Sequence, residues 1–274
     1  MAGKAKKLVD ECHQEKSKTL DLIDKSISNI IDIPGLLNLD HVVRITLAHN
    51  KISSLPASIA NLVNLEALNL FNNHLEELPT SLSSLPCLKR LNVGMNRLNS
   101  LPRGFGSFQS LEMLDLTYNN LNEMSLPGNF CRLEMLRTLY LGDNDFEHLP
   151  KEIGQLQSLQ VLVLRDNDLI SLPKEIGELA RLRELHIQGN RLTVLPPEFA
   201  SLDLLGSKNV FKYDSNPWAP PIMEQLNLSV SHLFDYIKSD TYKYLYGRRI
   251  AADAPPPPKT HDKSKKASRK GMKK

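Results

Sequence analysis

Leu159-Gln-Val-Leu162-Val-Leu164-Arg-Asp-Asn167-Asp-Leu169-Ile-Ser-Leu172-Pro173-Lys-Glu-Ile176 decides the architecture of this 274-residue chain. The same frame surrounds Asn50, Asn73, Asn96, Asn119, Asn144, Asn167 and Asn190, at spacings of 23, 23, 23, 25, 23 and 23 residues. A proline follows six residues later at Pro56, Pro79, Pro102, Pro150, Pro173 and Pro196. In the fourth copy Pro127 comes eight residues on, so two extra residues lie between Asn119 and Pro127. Three residues past each proline stands another apolar side chain, as at Ile59, Phe105, Ile176 and Phe199. A fixed period of this length marks a stack of small units, each unable to bury its apolar face alone.

Each position in the frame has a physical task. Leu-x-Leu alternates with the period of a strand, so the two leucines point inward and the residues between them outward. The asparagine stands where the chain leaves the strand, and its amide can both donate to and accept from backbone groups of adjacent coils. Leu-Pro disfavours helical geometry and sends the chain into an extended return. Ile/Phe-x-x-Leu then has helical spacing. The fold class expected is α/β, a leucine-rich-repeat solenoid (horseshoe) with a parallel concave sheet, short helical or irregular convex segments, and helical caps.

The ends are modified copies. Leu20-x-Leu22-x-x-Lys25-x-Ile27 keeps the strand frame with Lys25 in the asparagine place, and charged residues 4–16 precede it as a short capping helix. At the far end Phe211-x-Tyr213-x-x-Asn216 fits, and Val230, Leu233, Phe234 and Ile237 lie at helical spacing within 229–246, which predicts one amphipathic closing helix. The divisions expected are a capping segment 1–18, a solenoid 19–216, a helical cap 217–250 and a disordered basic tail 251–274. That tail carries eight Lys/Arg against two Asp, a local balance of +6, so the rest sums to −3 within a whole-chain charge of +3.

Several classes of function find no support. No apolar run approaches the roughly 18–20 residues that span a bilayer, and the basic first residues are not followed by the apolar stretch of a secretory leader. Three scattered cysteines suit a reducing compartment, so the cytoplasm is the expected address. No phosphate loop, nucleophile elbow or His-Glu-x-x-His is present, and Gly104-Phe105-Gly106 lacks the third glycine of a dinucleotide loop. No enzyme, cofactor or resident metal is expected.

Binding is expected on the concave sheet, whose residues alternate with the buried leucines. Four positions before the asparagine site these read Thr46, Asn69, Asn92, Asp115, Tyr140, Val163 and His186. Two before, they include Phe71, Gly94, Gly142, Arg165 and Gln188, and one before, Met95, Tyr118, Asp143 and Asp166. Aromatic and apolar side chains mixed with a few charges compose interface hot spots. The protein-binding candidates are therefore Phe71, Asn92, Met95, Asp115, Tyr118, Tyr140, Val163, Arg165 and His186. For the tail three readings stand together: a solubilising terminus, weak attraction to anionic lipid or an acidic protein, and a nuclear-import or nucleic-acid role. An acidic body without a groove-reading module disfavours nucleic acid.

Arg97-Leu-Asn-Ser-Leu-Pro-Arg-Gly-Phe-Gly106, Leu164 to Leu179, Glu184 to Pro197 and Tyr242-Lys-Tyr-Leu-Tyr-Gly-Arg248 resemble the Ras suppressor family. The resemblance implies a cytosolic adaptor at cell–matrix (focal) adhesions, and a non-catalytic monomer is expected. It also implies binding to the last LIM domain of the PINCH adaptor and, through PINCH, to integrin-linked kinase and parvin, with restraint of Ras signalling. A second reading is a leucine-rich scaffold that assembles a phosphatase on Ras and Raf, which shares the Leu-Pro repeat but is longer. Bacterial leucine-rich ubiquitin ligases need a cysteine-bearing domain for which the residues after 216 are too few.

Overall fold

A computed structural model describes residues 2–252 and 255–259. Nine three-residue strands form one all-parallel sheet in chain order. They are β1 (Thr19–Asp21), β2 (Arg44–Thr46), β3 (Ala67–Asn69), β4 (Arg90–Asn92), β5 (Met113–Asp115), β6 (Thr138–Tyr140), β7 (Val161–Val163), β8 (Glu184–His186) and β9 (Val210–Lys212). Every neighbouring pair keeps the register of the repeat: Leu68 faces Leu91, Leu91 faces Leu114, and Asn92 faces Asp115. The alternation of buried leucines forces this, because a slip of one residue would turn them outward.

Behind the sheet the returning segments are 3-10 turns rather than α-helices, as at Ala57–Asn61, Lys151–Gln155 and Lys174–Glu178. Each begins just after its proline, whose own dihedral angles are extended. Ile59, Leu82, Phe105, Phe130, Ile153, Ile176 and Phe199 anchor these turns in one continuous core with the strand leucines. The two extra residues of the fourth coil are absorbed in a further 3-10 turn, Glu123–Ser125, capped by the Asn122 side chain. Ser125 pins it to the preceding coil, its Oγ donating to Asn99 C=O at 2.6 Å.

The asparagines form a ladder in which the carbonyls are shared. Asn167 Nδ2 donates to Leu141 C=O of the coil before (2.9 Å) and to Leu164 C=O of its own coil (3.0 Å). Its Oδ1 accepts from Phe146 N–H at 3.2 Å. Leu141 C=O also receives Asn144 Nδ2, and Leu164 C=O also receives Asn190 Nδ2. The residue just before each asparagine is left-handed: His49, Asn72, Met95, Tyr118, Asp143 and Asp166 have φ between 53° and 63°. Outside glycine this region is sparsely populated, and here the two-sided ladder holds it.

Both ends of the core are closed. Helix α1 (Ala2–Gln14) buries Val9 and Cys12 against the first coil. At the other end stand α2 (Pro220–Leu228), α3 (Val230–Lys238) and α4 (Asp240–Ala251), where periodicity alone predicts one helix over 229–246. Two serines explain the difference. Ser229 accepts from His232 N–H and Ser239 from Tyr242 N–H, each starting a new helix with its side chain. Phe234 of α3 meets Phe199 and Phe211 of the last coils at ring separations of 5.5 and 6.4 Å. Tyr242 of α4 donates its hydroxyl to Leu195 C=O at 2.5 Å and accepts from Leu195 N–H at 3.2 Å. No helix among the described residues is long and apolar enough to cross a membrane.

Candidate protein-docking face

The outward residues of consecutive strands stand in one unbroken row, because the register pairs Thr46, Asn69, Asn92, Asp115, Tyr140, Val163, His186 and Lys212 in succession. The first half of this row has a local task. Asn69, Asn92 and Asp115 each accept, through Oδ1, the N–H two residues ahead, at 2.9–3.0 Å. Tyr140, Val163 and His186 have no equivalent oxygen to offer the backbone, so the row changes character at β6.

Two glycines shape the surface into subsites. A Cβ on Gly94 would lie 3.2 Å from Asp115 Oδ1 and 3.3 Å from both Asn92 Oδ1 and Phe71 Cδ2. Phe71, Asn92 and Asp115 therefore converge over that bare backbone, and His49 meets the Phe71 ring edge-on at 5.6 Å. Two coils further on, a Cβ on Gly142 would lie 3.1 Å from Arg165 Cγ. Arg165 lies across this glycine and reaches Asp143 at 2.8 Å while its other nitrogen holds Asp166 at 2.7 Å. An arginine fixed between two carboxylates presents its guanidinium plane with little further loss of rotamer freedom.

Charge and burial join the second subsite to its neighbours. Tyr140 is held above the ordinary phenol range by burial, reinforced by the charges of Glu184 and Asp115. It therefore remains a neutral hydroxyl able to donate. His186 Nε2 lies 2.9 Å from Glu184 Oε1. Burial pushes the imidazole below its usual value, Lys212 and Arg165 push the same way, and Glu184 opposes them. Among the described residues no three His, Cys, Asp or Glu side chains are grouped to hold a metal ion. The Cys131 thiol is pushed up to about 12, chiefly by burial, and so is poorly suited to act as a nucleophile.

Comparison with known proteins agrees with this architecture. A leucine-rich repeat region model matches residues 15–126 and 107–228. Ras suppressor protein 1 of Bos taurus is 68% identical over 272 residues, covering 99% of this chain and 98% of the bovine one. The Homo sapiens protein of that name is 66% identical over the same share of each chain. The chain belongs to the Ras suppressor family. Among solved structures, the crystal structure of PEPR1-AtPEP1 superposes with a TM-score of 0.58 at 28% identity, over 70% of this chain and 29% of that one. The Ras suppressor likeness thus extends through the caps, whereas the likeness to PEPR1 is one of repeat fold.

In this Ras suppressor chain the residues expected at the face from sequence are not equivalent. Phe71, Asn92 and Asp115 come together at Gly94, and Tyr140, Arg165 and His186 share the coils around Gly142. Met95 and Tyr118 occupy left-handed turn positions three residues past the ends of β4 and β5. Val163 is only 5% exposed, because its neighbours cover it, so it offers packing more than contact surface. The frame does not single out Glu184, Asp143 and Asp166 as parts of the second subsite. The signal for Asp143 was present in the sequence: a glycine at 142 beside an arginine at the matching place one coil on.

Proposed function

We propose that this chain is a non-catalytic adaptor whose concave face docks the last LIM domain of PINCH, in the cytoplasm at cell–matrix adhesions. Through PINCH it would join integrin-linked kinase and parvin and so restrain Ras signalling. In this reading residues 19–216 are the binding unit, 1–18 and 217–250 close its ends, and 251–274 are a basic tail. The single observation that carries the proposal is the unbroken register row from Asn92 to His186, flanked by Arg165 held over Gly142. A rigid small domain needs a preformed surface of this kind, with an aromatic donor and a fixed cation near its centre.

The test is titration of the isolated LIM domain into the full chain by calorimetry. The Tyr140→Ala, Arg165→Ala double variant is expected to bind at least about tenfold more weakly, a loss of roughly 1.4 kcal/mol or more, since truncating one hot-spot residue costs about 2 kcal/mol. Unchanged affinity in that variant would place the site elsewhere.

A further inference from the structure

Residues 255–259 lie far along the chain from the solenoid coils, yet they are seated on the flank just beyond the carboxyl ends of β6–β8. Pro257 C=O accepts from Arg191 Nε at 2.6 Å. Lys259 Nζ lies 2.5 Å from Glu147 Oε1 and 3.7 Å from Asp168 Oδ2. Glu147, Asp168 and Arg191 come from three consecutive coils, each within three residues past its ladder asparagine. Asp168 and Arg191 are both buried, and Arg191 Nη1 approaches Glu147 Oε1 at 3.9 Å. The bond to Lys259 holds the Glu147 carboxyl below its usual range, and the same bond raises the Lys259 ammonium.

The chemistry of the two surfaces is complementary in kind as well as in sign. A run of four prolines is preset in an extended helix and has no N–H groups, so its carbonyls are its only polar atoms. A surface that binds it has to bring donors, and Arg191 brings one. The residues one position past the ladder asparagine read Lys51, His74, Arg97 and Asn120 in the first four coils, then Asp145, Asp168 and Arg191, and with Glu147 the last three coils set three carboxylates there against one arginine. The basic segment sits on the half of this flank that carries opposite charge.

We propose that the flank formed by Glu147, Asp168 and Arg191 is a binding site for a proline-led lysine segment, occupied in cis by this chain's own residues 255–259. Lys259 is thereby held at the solenoid flank beside coils 5–7. This assignment does not depend on the identity of any partner at the concave face.

Limited trypsin digestion of the full chain, with the 259–260 cleavage followed by mass spectrometry, tests the docking. Trypsin needs the lysine side chain in its own pocket, so a docked Lys259 is withheld from it. The Glu147→Gln, Asp168→Asn double variant is expected to be cut there roughly three- to fivefold faster, the range for a partly exposed ion pair. With trypsin activity normalised on a free peptide, 0.5 M salt should accelerate the native chain by about the same factor and leave the double variant unchanged. Glu134→Gln, an exposed carboxylate elsewhere, should have no effect. A cleavage rate unaltered by the double variant, or an equal rise with Glu134→Gln, overturns the proposal.

Discussion

Removing an asparagine from the ladder should cost more at its first rung than in its middle. In the middle, Asn167→Ala leaves Leu141 C=O with Asn144 and Leu164 C=O with Asn190, so neither carbonyl is stranded. Phe146 N–H alone loses its partner. At the first rung no asparagine precedes, because Lys25 occupies that place. Asn50 Nδ2 supplies Leu22 C=O at 2.8 Å, and Asn50 Oδ1 takes both Ile27 and Lys25 N–H at 3.0 Å. Asn50→Ala therefore strands two buried groups, Leu22 C=O and Ile27 N–H, while Lys25 is near enough to water to be solvated.

A stranded buried group costs about 2 kcal/mol, and a shared bond whose carbonyl keeps another partner about 0.5 kcal/mol. Asn167→Ala then costs about 3 kcal/mol and Asn50→Ala about 5 kcal/mol. With a urea slope of about 3 kcal/mol/M for a chain of this size, the midpoints fall by about 1 M and 1.7 M. Equilibrium unfolding followed by far-UV circular dichroism reads both. The one tryptophan, Trp218, reports the opposite end of the stack, where its indole donates to Tyr213 C=O at 3.1 Å. Coils couple mainly to neighbours, so in Asn50→Ala the dichroism should be lost before the fluorescence changes. Equal midpoints for the two variants would refute the account of a shared ladder with an unshared first rung.

Stability should fall as pH drops from about 6.5, the unfolded histidine value, toward the lower folded values of His186 and His74. Burial leads both depressions, with Arg97 and Lys51 adding to the second. In that window the unfolded chain binds more protons, so stability rises with pH, and the His186→Gln, His74→Gln variant should show a flatter thermal-midpoint profile. Gly142→Val puts a side chain where Arg165 now lies. It should weaken the LIM domain about as much as Arg165→Ala while leaving the far-UV spectrum unchanged, as calorimetry and circular dichroism can check. Gly177→Ala drives a methyl into the Glu198 backbone of the next convex turn, and chemical denaturation should register a loss of about 1–3 kcal/mol.

The repeat made the sheet legible because its signal is redundant: Leu68, Leu91 and Leu114 repeat one pattern, so the register follows from counting. What a count cannot supply is the direction in which a side chain leaves the backbone. Met95 and Tyr118 follow the strands in left-handed turn positions, where the strand's alternation no longer applies. Ser229 and Ser239 sit within a helical period and still end it, since a cap is a local hydrogen bond that periodicity does not weigh. The contact of Lys259 with Glu147 joins residues 112 positions apart and leaves no trace in any spacing.

The division of the outward row explains where binding specificity can reside at least cost to the fold. Asn69, Asn92 and Asp115 spend one oxygen each on their own backbone, so replacing them alters the fold and the surface together. Tyr140 and His186 carry no such bond to their own strand, and neither does Arg165, whose charge is held by side chains alone. Changes at these three alter the surface while leaving the main-chain hydrogen bonds intact. If the proposed docking holds, coils 5–7 are thus the part of the face free to be tuned to a partner, and loss of the Arg165 subsite should weaken docking without unfolding the chain.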